Sequence, residues 1–297
     1  MTERGVILAA FGRQYEVRTE AGDVLLCYPR AKRSLYACGD EVAVGRTGEG
    51  QGVLEKLLPR RSLLHRADAF REKLIAANVT QVVIVVATEP SFSDELISRC
   101  LCAAEAQDLQ SLIVLNKADL AGRLAPARRM LLPFRDLGHP IIELSAEQDV
   151  APLHPHLAGH TSILVGQSGM GKSTLINALI PGTGAATREI STSLDSGKHT
   201  TTFARLYPLE GAAWLIDSPG LQAFGLAHLS AADLEHGFRE LRPYHGQCRF
   251  RDCRHTGEPG CAVQAAVSAG TLNPRRLALF LQIREEVELC QRQARGH

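Results

Sequence analysis

"SLIVLNKADL", residues 111–120, is an apolar run that ends in Asn116, Lys117, Ala118 and Asp119. N-K-x-D at the end of a buried strand is the pattern that reads a guanine base. The carboxylate of Asp119 can accept hydrogen bonds from the N1–H and exocyclic amine of guanine, donors that adenine lacks there. An unpaired buried carboxylate is costly, so such a site rejects adenine by a few kcal/mol. Asn116 and Lys117 are expected to brace the loop and cover the base. Ser145 and Ala146 of "LSAE" (144–147) supply the usual backbone contact to the guanine O6.

A second motif follows at 163–174, "ILVGQSGMGKST". It is a strand running into G-x-x-x-x-G-K-S, with Gly166, Gln167, Ser168, Gly169, Met170, Gly171, Lys172, Ser173 and Thr174 expected around the phosphates. Glycines let backbone N–H groups curl about phosphate oxygens, Lys172 adds a point charge, and the Ser173 hydroxyl can ligate Mg²⁺. "WLIDSPG" (214–220) completes the set. Asp217 can hold a water on Mg²⁺, and the Gly220 N–H can contact the γ-phosphate. The polar stretch 187–202, "TREISTSLDSGKHTTT", reads as a switch that orders on γ-phosphate and metal. Of Thr200, Thr201 and Thr202, Thr201 is the expected second Mg²⁺ ligand. Many GTPases carry Gln directly after D-x-x-G to orient the attacking water. Leu221 stands there and cannot hydrogen-bond, so His199 is the candidate catalytic residue.

The order of these motifs is reversed, because the phosphate loop ordinarily precedes N-K-x-D. Termini of compact domains often lie close together, so a domain can be circularly permuted without losing its core. Joining the old ends near "VAPLHPHLAGH" (150–160) and cutting after the D-x-x-G segment gives this order. The second switch then leads straight into whatever follows.

Around that core, residues 1–66 alternate apolar and polar side chains in short runs, the pattern of a small β-barrel of OB-fold type. Its basic loop 30–34 (Arg30, Lys32, Arg33) and Phe11, Tyr15, Tyr28 and Tyr36 are candidates for nucleic-acid contact, with plain packing as the alternative. From 67 to 228, continuous apolar runs such as "QVVIVVAT" (81–88) alternate with helical patterns, indicating a parallel sheet covered on both faces. Residues 229–297 are rich in Cys and His, then helical. Ser230 is a plausible helix cap, and Asn273 with Pro274 opens the last helix. The expected division is therefore 1–66, 67–228 and 229–297.

The chain has 297 residues, 45% of them hydrophobic, and a formal net charge of +1. No apolar run is long enough to span a bilayer and no signal-peptide pattern opens the chain, so a cytoplasmic monomer is expected. Thiols stay reduced there, so the eight cysteines are read as free, buried or metal-bound. Residues 1–66 carry a net +3 and 241–297 a net +4, leaving 67–240 at −6. Basic flanks on an acidic centre suit contact with a polyanion, although solvated surfaces can show the same asymmetry. "CRFRDCRHTGEPGC" (248–261) spaces Cys248, Cys253, His255 and Cys261 as C-x4-C-x-H-x5-C. That reads as a closed structural zinc site or as ordinary reduced thiols, with His245 the one plausible substitute ligand. Arg249, Arg251 and Arg254 interleave with these residues and would face RNA phosphates. Cys27, Cys38, Cys100, Cys102 and Cys290 lie in apolar patterns and are expected in the core.

The succession N-K-A-D, S-A, G-x-x-x-x-G-K-S-T, G-K-H-T-T-T and D-S-P-G-L-Q-A-F-G-L, with the barrel before and the cysteines after, resembles the ribosome small-subunit-dependent GTPase A family. The resemblance covers essentially the whole chain, including "RRSLLHR" (60–66) and "LIAANVTQVVIVVA" (74–87). Departures are small: Ser218 where Thr is usual and Met170 where Val is common. The resemblance implies a circularly permuted P-loop GTPase domain between an N-terminal OB-fold and a C-terminal helical zinc-binding domain. It also implies GTP hydrolysis stimulated by the small ribosomal subunit, release after hydrolysis, contact with rRNA, and one zinc on Cys248, Cys253, His255 and Cys261. Two rivals stand beside it. A P-loop kinase would lack guanine selectivity, and an RNA-binding assembly factor would hold GTP without turning it over.

Overall fold

Strand alternation in the first sixty residues produces a closed barrel. β1 (Thr2–Phe11), β2 (Gln14–Thr19), β3 (Val24–Pro29), β4 (Glu41–Gly48) and β5 (Gln51–Leu57) pair in the ring order β1-β2-β3-β5-β4-β1, the connectivity of an OB-fold. Every second side chain points inward, and Ile7, Tyr15, Val17, Leu25, Cys27, Val42, Val44 and Leu54 fill the interior. The computed structural model describes residues 2–30, 36–66, 73–181, 203–218, 221 and 224–295. Lys32, Arg33, His199, Thr200, Thr201, Thr202 and Gly220 therefore lie outside the described residues.

β6 (Leu63–Arg66) and β7 (Lys73–Ala77) form an antiparallel ribbon, and the boundary drawn at 66/67 falls inside it. The chain then alternates: β8 (Gln81–Ala87), α1 (Asp94–Glu105), β9 (Gln110–Asn116), α2 (Ala121–Asp136), β10 (Ile141–Glu143), α3 (His154–Leu157), β11 (Thr161–Val165) and α4 (Lys172–Leu179). β12 (Arg205–Pro208) and β13 (Trp214–Asp217) complete the sheet. Its order is β10-β9-β8-β11-β13-β12, with β12 antiparallel to β13 and the other neighbours parallel. All seven residues of β8 are buried, as expected for a central strand covered on both faces.

The permutation is visible in this order. β8, β9 and β10 step outward on one side, and the chain then returns through 144–160 to lay β11 against the other edge of β8. Ligands of open α/β sheets bind beyond the strand C-termini at such a reversal. The motif-bearing turns after β9, β10, β11 and β13, and the turn after β8, all leave the sheet at that edge. β12 also pairs with β1, so barrel and GTPase strands form one continuous eleven-stranded sheet.

Past β13 the chain enters α5 (Ala231–Gly237), a 3₁₀ segment (Arg239–Tyr244), α6 (Ala262–Ser268) and α7 (Pro274–Arg295). Ser230 caps α5 through a capping box with Asp233, whose backbone N donates to Ser230 Oγ at 3.1 Å. This C-terminal unit docks on one face of α1. Arg275 forks onto Asp94 at 2.9 and 2.9 Å, and Gln282 donates to Glu95 at 2.9 Å. Arg99 pairs with Glu286, and Arg239 and Arg242 with Glu105. At the centre Arg276, 5% exposed, lies between the rings of Phe134 and Phe238 at 4.9 and 5.0 Å. It donates to Glu240 and to Ser98. A buried guanidinium is tolerable only with its charge matched, and here Glu240 supplies the counter-charge while Ser98 takes a further N–H.

Two expectations are corrected here. Cys27, Cys38, Cys100 and Cys102 are buried, but Cys290 is exposed, because the last turns of α7 leave its neighbour Leu289 in solvent as well. Among the four barrel aromatics, Tyr15 is inside the barrel, Tyr36 packs against it edge-on at 5.4 Å, and Phe11 packs on Phe203. Tyr28, 41% exposed, is the most exposed of the four.

Candidate functional site

Asn116 is the hub of the site. It closes β9, is 2% exposed, and spends both ends of its amide on other motifs. Nδ2 donates to the Met170 carbonyl of the phosphate loop at 2.9 Å, and Oδ1 accepts from the Ala146 N–H at 2.9 Å. One buried side chain thus holds the base-reading loop, the Ser145–Ala146 turn and the phosphate loop in fixed relation. A buried amide with a donor and an acceptor end both satisfied is a rigid spacer, and removing either partner leaves an unpaired polar group.

Glycine makes the approach possible. Gly171 sits in the left-handed region at φ 86°, and a Cβ there would run into Asn116 Nδ2. A Cβ on Gly166 would run into the Val85 carbonyl of the neighbouring strand. These are the two fixed glycines of the motif, so each has a steric reason here as well as a role at phosphate. Ser168 and Gly169 form the exposed crest of the loop, and Met170 is buried beneath it.

Lys172 opens α4 with its ammonium on the Gly166 and Gln167 carbonyls, at 2.5 and 2.8 Å. Burial lowers its pKa, opposed by Asp217, while burial raises the Asp217 carboxyl to about 6, opposed by Lys172. A cation and a carboxylate thus act on each other electrostatically within the same site. Ser173 and Asp119 are exposed toward solvent. The Asp119 carbonyl accepts from Ala121 N at 2.9 Å, which fixes the loop to the start of α2. Lys117, at φ 57°, turns its ammonium onto the Glu89 carbonyl at 2.8 Å.

Sequence reading had no signal for three supports. Thr88 Oγ1 donates to the Lys117 carbonyl at 2.9 Å, Glu89 receives Lys117, and Ser93 N donates to Gln167 Oε1 at 3.2 Å. All three follow β8, a strand with no named motif. The Leu221 carbonyl accepts from Gly166 N at 3.4 Å, and its side chain is fully buried. The residue after D-x-x-G thus packs under the phosphate loop.

The four expected metal ligands also converge, with their ligand atoms all within 4.8 Å of one another. His255 Nδ1 lies 3.6 Å from Cys248 Sγ, 3.6 Å from Cys253 Sγ and 3.3 Å from Cys261 Sγ, and Cys248 Sγ lies 3.9 Å from Cys261 Sγ. A tetrahedron with Zn–S of about 2.3 Å and Zn–N of about 2.0 Å has edges near ~3.5–3.8 Å, so the donor set fits zinc. Backbone N–H groups of Ala262 and Gln264 point at the Cys248 and Cys261 sulfurs at 3.4 Å each, which suits thiolates. Glu235 Oε1 lies 3.7 Å from His255 Nε2, where a carboxylate orients a ligating imidazole. His245 is outside the cluster, exposed, and beside Glu235 at 3.4 Å. Of the interleaved arginines, Arg254 is paired with Glu288 at 2.5 Å and Arg249 covers Phe250 at 5.5 Å, while Arg251 is exposed.

The C-terminal thiols give a direct test. Chelation, or Cys253→Ser, should release bound zinc and lower the Tm of the C-terminal unit by roughly 10 °C, with guanine-nucleotide affinity retained. Metal analysis and differential scanning calorimetry follow both. A protein that purifies without zinc and melts unchanged after Cys253→Ser would contradict the assignment.

Comparison with known proteins agrees with this geometry. A family model described as RsgA GTPase matches residues 57–227. The small ribosomal subunit biogenesis GTPase RsgA of Nitrosospira multiformis is 55% identical over 277 residues, 93% of this chain and 88% of that one. The protein of the same name in Ralstonia pickettii is 52% identical over 295 residues, 96% and 93% of the two chains. Among solved structures, YjeQ from Thermotoga maritima superposes with a TM-score of 0.75 at 29% identity, covering 97% of this chain and 99% of its own. YloQ, described as a circularly permuted GTPase, superposes with a TM-score of 0.72 at 26% identity, covering 97% and 96%.

Proposed function

Because this chain belongs to the RsgA GTPase family, we propose that it binds GTP with Mg²⁺ at the Asn116 hub, engages the small ribosomal subunit in that state during its late maturation, and leaves after hydrolysis. The bridging of three loops by Asn116 carries the reading: its bonds to the Met170 carbonyl and the Ala146 N–H support treating those loops as one nucleotide site.

Each role falls to a named residue. Asp119 reads the guanine edge, Lys117 covers the base, and Ser145 with Ala146 contacts O6. The backbone from Gly166 to Gly171 cradles phosphates, with Gln167, Ser168, Gly169, Met170 and Thr174 lining it, and Lys172 leaves its carbonyl partners for phosphate oxygens. Mg²⁺, when bound, supplies charge neutralisation at the phosphates. Ser173 and Thr201 would hold it, Asp217 would hold one of its waters, and Gly220 would sense the γ-phosphate. Zinc on Cys248, Cys253, His255 and Cys261 would stiffen the loop that carries Arg249 and Arg251, and these, with Tyr28 on the barrel, are the groups offered to rRNA. Among the described residues no helix is long and apolar enough to cross a membrane. The cytoplasm, where ribosomes are assembled, is the proposed site of action.

Permutation gives the assembly its logic. The segment after Asp217 runs under the phosphate loop at Leu221 and then into the unit clamped on α1, so loss of γ-phosphate acts directly on the C-terminal unit. Leu221 offers no hydrogen bond to water, and His199 is assigned that task on the bound subunit. His199→Ala should co-sediment with small subunits in a non-hydrolysable GTP analogue as the unaltered protein does, yet lose subunit-stimulated hydrolysis. A variant still stimulated to the full extent removes His199 from the role.

A further inference from the structure

α1 meets the nucleotide site at one end and the C-terminal unit along its length. The turn that leads into it, 88–93, touches both nucleotide loops. Thr88 Oγ1 and the Glu89 carbonyl hold Lys117, and Ser93 N donates to Gln167 Oε1 at 3.2 Å. The crest of the phosphate loop packs against the same turn: a Cβ on Gly169 would sit 3.3 Å from Cγ and Cδ of Pro90. Ser93 is also the N-cap of α1, its Oγ accepting from Leu96 N at 3.4 Å. The next residue, Asp94, takes the fork of Arg275 at 2.9 and 2.9 Å. Arg275 lies in the first turn of α7, where its own backbone N donates to Asn273 Oδ1 at 2.9 Å. Gln167 and Arg275 therefore grip consecutive residues at one helix start.

We propose that Gln167 is a positioning residue that couples nucleotide binding to the C-terminal unit: through Ser93 and Asp94, occupancy of the phosphate loop and docking of α7 on α1 stabilise one another. The inference rests on the phosphate-loop reading given above. This coupling runs apart from the path through Leu221, which follows the chain from Asp217. Phosphates that order the backbone from Gly166 to Gly171 also hold Gln167 still. A fixed Gln167 holds the Ser93 amide, and the helix start then presents Asp94 to Arg275 with less freedom left to lose. Such coupling is reciprocal, so a docked α7 strengthens nucleotide binding by the same factor.

The Gln167 side chain suits a link rather than a phosphate ligand. It is half-buried, and its oxygen already accepts from Ser93 N. The second grip is ionic: the Arg275 guanidinium holds the Asp94 carboxyl below the usual carboxylate range. Further along α1, Glu95 and Arg99 contact Gln282 and Glu286 of α7. Those contacts lie farther from Gln167, so the effect on α7 should be strongest in its first turns.

The test is hydrogen–deuterium exchange of the full chain, with and without saturating GDP, in the unaltered protein, Gln167→Ala, Gln167→Glu and Arg275→Ala. In the unaltered protein GDP should slow exchange roughly threefold or more in 166–174, in 90–99 and in the first turns of α7. In Gln167→Ala the slowing should persist in 166–174 and vanish from α7. Gln167→Glu keeps an acceptor for Ser93 N and should restore it. In Arg275→Ala the slowing should reach 90–99 and stop there, and GDP should bind roughly two- to fivefold more weakly, although Arg275 lies outside the nucleotide site. A Gln167 that merely fills space predicts α7 slowed by GDP to the same extent in Gln167→Ala, and that result overturns the proposal. So does an α7 that GDP leaves unchanged in the unaltered protein while 166–174 is slowed. If GDP slows neither segment, the phosphate-loop assignment itself falls, and the proposal with it.

Discussion

Lys172→Ala should lower GTP turnover by roughly a hundred- to a thousandfold, the usual cost of removing one preorganised charge from a reacting phosphoryl group. Two causes act together. The ammonium that now rests on the Gly166 and Gln167 carbonyls is the group assigned above to the phosphates. It is also the counter-charge of Asp217, whose carboxyl burial already raises to about 6. Without Lys172 burial pushes that carboxyl's pKa further up, so more of it is protonated near neutral pH, and the protonated form cannot orient a metal-bound water. Steady-state phosphate release and nucleotide titration measure both effects. Turnover within fivefold of the unaltered protein would contradict the role given to Lys172.

Asp119→Asn should exchange nucleotide preference. In the proposed site guanine would present two donors to the Asp119 carboxylate, whereas xanthine presents a carbonyl where guanine has its amine, and an asparagine amide can donate to it. The substitution is isosteric and leaves the Asp119 carbonyl, which anchors α2 through Ala121 N, untouched. GTP binding should weaken roughly a hundredfold, since buried donors lose their partner, while xanthosine triphosphate is admitted. Competition titration with the two triphosphates reads this directly. An unchanged preference for guanine would show that another residue reads the base.

Much of this could be read from the chain because the motifs carry their own chemistry. N-K-x-D and the phosphate loop each end a strand, and their inverted order led to the permuted sheet in which β8 lies against β11. Pattern alone could not supply the partners. The acidic and basic residues of α1, Asp94, Glu95, Arg99 and Glu105, look like a solvated face, yet their partners lie far along the chain in Arg275, Gln282, Glu286, Arg239 and Arg242. Cys290 falls three residues after the buried Val287, a core spacing, but α7 has run past the core by then. Tyr15 and Tyr36 show the same limit: alternation gives a side chain's face, and here that face is the barrel's own packing. The Asn116 hub lies between these cases, because the residue was legible while its two tethers required the fold.

The measurement closest to the central claim is the GTP hydrolysis rate of the purified protein alone, with small ribosomal subunits, and with large subunits. With Leu221 unable to hold the attacking water, the protein alone should be slow. Small subunits should raise the rate roughly tenfold or more, and large subunits should leave it unchanged. Equal rates in all three conditions, or stimulation by large subunits instead, would contradict the account.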